Sequence, residues 1–250
     1  MTSNSLNDLI NICSFNLNKS TEHTDYLYNR GITLDIIKNY KIGYFPQNVS
    51  VLLKYLSKDF LIKYNIVGYN GCSEFSDYFN LIIPIYNEYG DAVGISGRTL
   101  VDEDERLFLK LSKYKNSSYK KSKILFGLGE AKKTIIDKQN VFVVEGYFDQ
   151  MSMNNNGINN CIAICGTAFS KGHFLKLSKY TDCITFVLDN DDAGNKSSEN
   201  ILSKFSNKGI KLRFLKVSEL YKDVDEYFND GQKTKEEFFE ESASIIPGLW

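Results

Sequence analysis

Short apolar runs rich in β-branched and aromatic residues recur through the second half of the chain, and several stop at an acidic residue. Val141-Phe-Val-Val144 runs into Glu145, with Asp149 close behind; Cys183-Ile-Thr-Phe-Val-Leu188 runs into Asp189 and Asp191; Leu212-Arg-Phe-Leu-Lys-Val217 precedes Asp223 and Asp225. Runs of about four to six such residues suit strands buried on both faces. Strands are predicted at 141–145, 161–165, 183–188 and 210–217, with helices at 148–155, 170–179 and 193–207 between them. That alternation predicts a parallel sheet with helices on both faces. Ligands of an open α/β sheet bind at the carboxyl ends of its strands, which is where these acids fall. Carboxylates gathered there repel one another unless divalent cations neutralise them, and hard oxygen donors select Mg²⁺ or Mn²⁺. The pattern therefore reads as a metal-dependent site that handles phosphates.

The first half has a different pattern. Apolar residues from Thr24 to Asn39 recur at near-helical intervals until Gly43 and Pro46 interrupt them. Leu81–Tyr86 and Ala92–Ser96 flank Asn87-Glu-Tyr-Gly-Asp91, which reads as a β-hairpin with Gly90 taking the unusual backbone angle. The predicted organisation is an N-terminal arm over 1–24, helical or loose, a small α/β subdomain over 25–134, the parallel-sheet domain over 135–228, and a C-terminal segment over 229–250 whose helix runs from Thr234 to Ile246.

Composition narrows the function classes. With 42% hydrophobic and 24% charged residues and no apolar stretch near 18 residues, nothing reads as a membrane span, and the polar N-terminus lacks the features of a signal peptide; a cytoplasmic protein is expected. Five cysteines without paired short spacing read as packed thiols, so no zinc site is expected. His23 and His173 lack a nucleophile partner, which disfavours a Ser-His-Asp hydrolase. The net charge of −1 conceals an asymmetry: between Arg106 and Lys138 ten Lys or Arg residues stand against Glu130 and Asp137 alone. Beside a carboxylate metal site, that basic run reads as a phosphate-binding surface.

Among the acids, Glu145 closes its strand, and Gly146 is expected to let the backbone turn sharply and expose the carboxylate. Asp189 and Asp191 are two apart, a spacing that lets both face one cation. Asp149 reads as a helix cap with a secondary role, and Asp223 and Asp225 as further ligands or as a capped acidic turn.

These segments also resemble a known family. Glu145-Gly-Tyr-Phe-Asp149, Asp189-Asn-Asp191-Asp-Ala-Gly194 and Lys222-Asp-Val-Asp-Glu-Tyr-Phe228 resemble the three signatures of the Toprim domain of DnaG-type bacterial and phage primases, and Cys165-Gly-Thr-Ala-Phe169 is similar to a segment lying between them. Tyr26–Thr33, Ile42–Pro46, Leu81–Gly90, Val93–Arg98, Lys113–Ser117 and Leu125–Leu128 resemble, in family order, the start of the primase polymerase core. The resemblance implies an α/β fold in which a small N-terminal α/β subdomain precedes a Rossmann-like Toprim domain. It implies catalysis by Glu145, Asp189 and Asp191, and two or more Mg²⁺ or Mn²⁺ ions on Glu145, Asp189, Asp191, Asp223 and Asp225. Arg30, Arg98, Lys113, Asn116 and Lys121 match positions that in the family bind ribonucleoside triphosphates and single-stranded DNA template along the groove between the subdomains. Asn190 stands where the family has Gly, and Asn tolerates left-handed backbone angles best among the other residues.

The function implied is RNA primer synthesis on single-stranded DNA. A Toprim nuclease using the same carboxylates and a non-catalytic replisome binding module are the alternatives, with a topoisomerase further behind. The zinc-binding module and helicase-binding domain of the bacterial proteins find no counterpart in these segments, so a separate helicase or zinc-binding protein is an expected partner, in the cytoplasm of a bacterium or a phage-infected bacterium.

Overall fold

The computed structural model describes residues 4–166, 168–230 and 233–244. Met1–Ser3, Thr167 of the segment 165–169, and the Ile245 and Ile246 assigned to the last helix lie outside the described residues. The chain forms two compact units, Met1–Asn29 with Thr33–Tyr86 and Asp91–Tyr119, and Arg30–Ile32 with Asn87–Gly90 and Lys120–Trp250.

In the first unit the N-terminal segment is a packed helix, α1 (Leu6–Leu17), opened by Ser5, whose side chain accepts from the Asn7 N–H at 3.1 Å. Leu6, Leu9, Ile10, Cys13 and Leu17 fall on one helical face and are buried in the unit's core. The helical pattern over 24–39 is two helices, α2 (Thr21–Asn29) and α3 (Leu34–Asn39), the second capped by Thr33. There follow β1 (Gly43–Tyr44), α4 (Ser50–Leu53), α5 (Lys58–Lys63), α6 (Glu74–Asp77), β2 (Leu81–Tyr86), β3 (Ala92–Arg98), α7 (Glu103–Phe108) and β4 (Tyr114–Asn116). The strands make an antiparallel sheet in chain order. The β2–β3 hairpin is as expected, with Gly90 at φ 85° in the left-handed region. Phe45, Leu52, Phe60, Phe75, Ile82 and Ile95 pack with α1 to form the core.

The second unit contains a 3₁₀ turn at Lys121–Lys123, then α8 (Leu128–Lys138), β5 (Val141–Val144), α9 (Tyr147–Asn155), β6 (Cys161–Ala163), α10 (Lys171–Leu177), β7 (Cys183–Val187), α11 (Asp192–Phe205), β8 (Lys211–Lys216), α12 (Val224–Asn229), α13 (Lys235–Glu241) and β9 (Ala243–Ser244). Residues 120–138 thus pack here, with Leu128, Ala131 and Ile135 of α8 in this unit's core. The sheet order is β6-β5-β7-β8-β9, parallel except for the last pairing. Alternate residues of a strand face opposite sides. Val141 and Val143 of β5 meet α8, α10 and α11, while Phe142 meets Phe239 of α13 at 5.8 Å between ring centroids. All four β5 residues are buried because both faces are covered, which is why the run is continuously apolar.

The last helix is shorter than the sequence predicts. It ends at Glu241, Ser242 is extended, and β9 lies antiparallel on β8, pairing a strand edge that would otherwise present free backbone groups. Among the described residues, no helix is long and apolar enough to cross a membrane.

Candidate active site

The chain passes from β5 to β6 on one side, then crosses to β7 on the other, so the sheet direction switches between β5 and β7. At such a switch point the loops diverge and leave a crevice at the carboxyl ends of the strands. Glu145 follows β5 there, Asp189 and Asp191 follow β7, and the segment after adjacent β8 leads to Asp223.

The loops are tied together by their own carboxylates. The Asp189 N–H donates to Glu145 Oε1 at 3.2 Å. Asp191 and Asp223 each open a helix, accepting from the Gly194 N–H at 2.9 Å and the Glu226 N–H at 2.8 Å through one oxygen each. Asp149 is buried and joins two helix starts, accepting from the Gly146 N–H at 2.8 Å and the Asp225 N–H at 3.2 Å. Gly146 itself has an ordinary extended backbone at φ −110°, so the sharp turn expected of it is not its role. A Cβ there would sit 2.8 Å from Asp149 Oδ2; the glycine makes room for the carboxylate.

Electrostatics mark the cluster. Burial raises the Glu145 pKa, with the Asp191 and Asp223 charges adding to it, while the Asp189 N–H and the Lys222 charge pull it down. Asp189 is pushed up to about 7 by burial and then by Glu145, Asp223 and Asp191. Asp149 is pushed up to about 8 by burial and then by Asp223, Asp189 and Asp225. Among the described residues no three His, Cys, Asp or Glu side chains converge closely enough, as placed, to enclose one ion. The donor set nonetheless fits a hard divalent cation: half-buried carboxylates crowd until their charges oppose ionisation, and a cation relieves that strain. Lys222 is a member of this site that sequence reasoning passed over, although it adjoins Asp223 in the third acidic element.

Asp225 is placed differently. It is 1% exposed, and its oxygens accept from Ser152 Oγ at 2.5 Å, from Asn229 Nδ2 at 3.1 Å and from the Arg30 guanidinium. Arg30 also lies over the Phe148 ring, 4.6 Å from its centroid. The two residues form an ion pair at the junction of α9 and α12, its carboxylate buried and its guanidinium half-buried, in which Arg30 neutralises Asp225.

Asn190 does not use a left-handed backbone. Its two Nδ2 hydrogens serve the carbonyls of Val217, Ser218 and Tyr221 at 3.1, 3.3 and 2.8 Å, one of them shared between two acceptors, and its N–H donates to the Lys222 carbonyl at 2.7 Å. One side chain thus fastens the aspartate loop after β7 to the segment that delivers Lys222 and Asp223. Gly194 permits the close start of α11, since a Cβ there would meet the Asp189 carbonyl oxygen at 2.1 Å.

The basic and polar candidates divide between the units. In the first, Arg98 is only 8% exposed, with its guanidinium 5.3 Å from the Tyr26 ring and 5.2 Å from the Tyr114 ring and a hydrogen bond to the Tyr114 hydroxyl at 2.6 Å. Lys113 is exposed just before β4, and Asn116 in that strand accepts from the Tyr119 hydroxyl at 2.8 Å. In the second unit, Lys121 is half-buried at the start of the 3₁₀ turn. Both histidines are buried and hydrogen-bonded.

Known proteins match both units. Residues 12–132 match the family described as DNA primase catalytic core, N-terminal domain, and residues 142–228 match the Toprim-like family. The DNA primase of Aquifex aeolicus is 31% identical over 232 residues, covering 88% of this chain and 45% of that protein. The DNA primase of Lactococcus lactis is 33% identical over 211 residues, covering 81% and 32%. The chain thus spans less than half the length of these curated relatives. A crystal structure of the Aquifex aeolicus primase, comprising zinc-binding and RNA polymerase domains, superposes with a TM-score of 0.83 at 29% identity over 96% of this chain and 60% of that one.

Proposed function

We propose a function that starts from family membership: the chain belongs to the DnaG-type primases, with their catalytic-core N-terminal domain followed by their Toprim domain, and it synthesises RNA primers on single-stranded DNA. The observation that carries this reading is the acidic cluster at the carboxyl ends of β5, β7 and β8, with Glu145 and Asp189 driven up in pKa. Glu145, Asp189, Asp191 and Asp223 would hold Mg²⁺ or Mn²⁺; Asp225, its oxygens already taken, anchors α12. Bound there, divalent cations supply Lewis-acid stabilisation of charge on a transferring phosphoryl group.

The 3′-hydroxyl of one ribonucleotide attacks the α-phosphorus of a second; a P–O bond forms and pyrophosphate leaves. Glu145, half-buried at the end of β5 with Oε1 accepting from the Asp189 N–H, is the carboxylate that takes the hydroxyl proton when it is not engaged by a cation. Lys222 places positive charge beside Glu145 and Asp189. Lys113 and Lys121 contact phosphates of nucleotide and template, while Arg98 acts as a rigid support between its two tyrosines.

The test is incubation with labelled ribonucleotides, Mg²⁺ or Mn²⁺ and single-stranded templates. New oligonucleotides longer than the substrates support the reading. Shortened templates without synthesis replace it with a Toprim nuclease, and template binding without either product replaces it with a binding module.

A further inference from the structure

His173 is fully buried yet takes no part in the carboxylate site. Its Nδ1 accepts from the Ser170 N–H at 3.3 Å, which leaves Nε2 to carry the proton and donate to the Lys121 carbonyl at 3.3 Å. Burial lowers its pKa, which keeps the ring neutral as this pattern requires. Two neighbours on α10 act on the same turn. Ser170 Oγ donates to the Ser122 carbonyl at 3.0 Å, and Lys176 Nζ donates to the Lys123 carbonyl at 2.8 Å while pairing with Glu88 at 2.7 Å. Three successive carbonyls of the basic turn are therefore held by residues 170, 173 and 176, spaced three apart along one helical side. Gly172 lets the turn lie close, since a Cβ there would sit 3.1 Å from the Ser122 oxygen.

A turn rich in lysine repels itself, and its internal backbone bonds, Lys123 N–H to the Lys120 carbonyl at 3.0 Å and Ile124 N–H to the Lys121 carbonyl at 2.9 Å, leave the Ser122 and Lys123 carbonyls to outside donors. Fixing three carbonyls from outside removes conformational freedom that a phosphate ligand would otherwise have to remove on binding. We propose that Ser170, His173 and Lys176 are positioning residues that lock the Lys120–Lys123 backbone and so pre-set Lys121 for a phosphate group, of a ribonucleoside triphosphate or of the DNA template. This rests on the reading of Lys121 as a phosphate contact.

The test uses the full chain with Mg²⁺, ATP and an oligo(dT) template bearing an annealed oligo(A) primer. One arm reads KM and kcat for ATP; the other reads the Kd for single-stranded oligo(dT) by anisotropy. Lys121→Ala identifies which arm the turn serves. His173→Leu should weaken that same arm about five- to tenfold, the loss expected from one buried hydrogen bond, with kcat within about twofold. His173→Gln should restore it, because an amide supplies one acceptor and one donor and Gln suits the third position of a capped helix. Lys176→Met, nearer the surface, should give a partial loss and decides the matter should His173→Leu fail to fold. A shift with Lys121→Ala but none with folded His173→Leu or Lys176→Met overturns the positioning role. A fall in kcat at unchanged KM and Kd overturns it too. If Lys121→Ala itself moves neither arm, the reading of the turn fails and this inference with it, whereas a parent that binds DNA but extends nothing counts against primer synthesis alone.

Discussion

Replacing Arg30 with Met strands Asp225 as an uncompensated charge in the second unit, because the Asp225 side chain is 2% exposed against 27% for its partner. Breaking a buried ion pair from one side costs about 3–5 kcal/mol. Ser152 and Asn229 continue to donate to the carboxylate, and Arg30 is partly open to solvent, so the low end applies, about 3 kcal/mol. For a chain of this size that is a fall in Tm of about 6–12 °C. Asp225→Asn keeps an acceptor for Ser152 but loses its charge-assisted bonds, about 2 kcal/mol. The double variant removes both charges together and should cost about 3 kcal/mol rather than the sum, leaving a coupling of about 2 kcal/mol. Urea and thermal unfolding followed by circular dichroism give all four values, and Mn²⁺ titration of each variant reports the metal site. Additivity within about 0.5 kcal/mol would refute the pairing. Loss of Mn²⁺ affinity in Asp225→Asn, with stability unchanged, would return Asp225 to the ligand set.

Other outcomes follow from the same geometry. Asp189 and Asp149, raised to about 7 and about 8, hold protons in the folded chain that the unfolded chain has released, so the contribution of these two groups to stability is full below about pH 4 and is lost as pH rises through about 7 to 8. Melting scans without metal should show that decline for the parent relative to Asp149→Asn, and saturating Mg²⁺ should shrink it; a parent-to-variant difference that does not change with pH contradicts the crowded-carboxylate account. Asn190→Ala frees the Val217 and Tyr221 carbonyls, while Ser218 keeps the Tyr221 N–H, and should cost about 1–3 kcal/mol, with faster amide exchange across 218–222 as its local signature. Lys113→Ala and Lys121→Ala should each flatten the salt dependence of single-strand binding by about 0.7 in the log–log slope, and parent-like slopes would remove those residues from the phosphate contacts.

The parallel sheet was legible because burial on both faces leaves continuous apolar runs, as in Val141–Val144. The acids at the strand ends were legible for the same reason, since a charge there marks where burial stops. Roles within an Asp-X-Asp pair were not. Asp189 and Asp191 precede and open a helix, whereas Asp223 opens one and Asp225 lies inside it. The N-cap Asp223 is extended and folds its side chain back over the first turn, whereas Asp225, inside the helix, lies on the face toward Arg30. The burial of Arg98 between Tyr26 and Tyr114 depends on the pairing of Arg98 with Tyr114 across β3 and β4, a contact that sequence spacing does not encode. In the sequence Asn190 stands out only as a departure from glycine, but its value lies in the three carbonyls that a distant loop brings to it. Residues 243–244, which form β9, fall in a helical pattern because the capped start at Thr234 is a strong local signal and the strand pairing is not local.

The most direct measurement is divalent-dependent incorporation of labelled ribonucleotide into new RNA on single-stranded DNA, by the parent chain and by Asp189→Asn and Asp191→Asn at matched concentration. Each substitution removes one carboxylate charge from the cluster while leaving side-chain shape nearly unchanged. RNA made by the parent should disappear on chelation, and neither folded variant should make any above background. Near-parental synthesis by Asp189→Asn or Asp191→Asn would contradict the metal-binding role of these carboxylates.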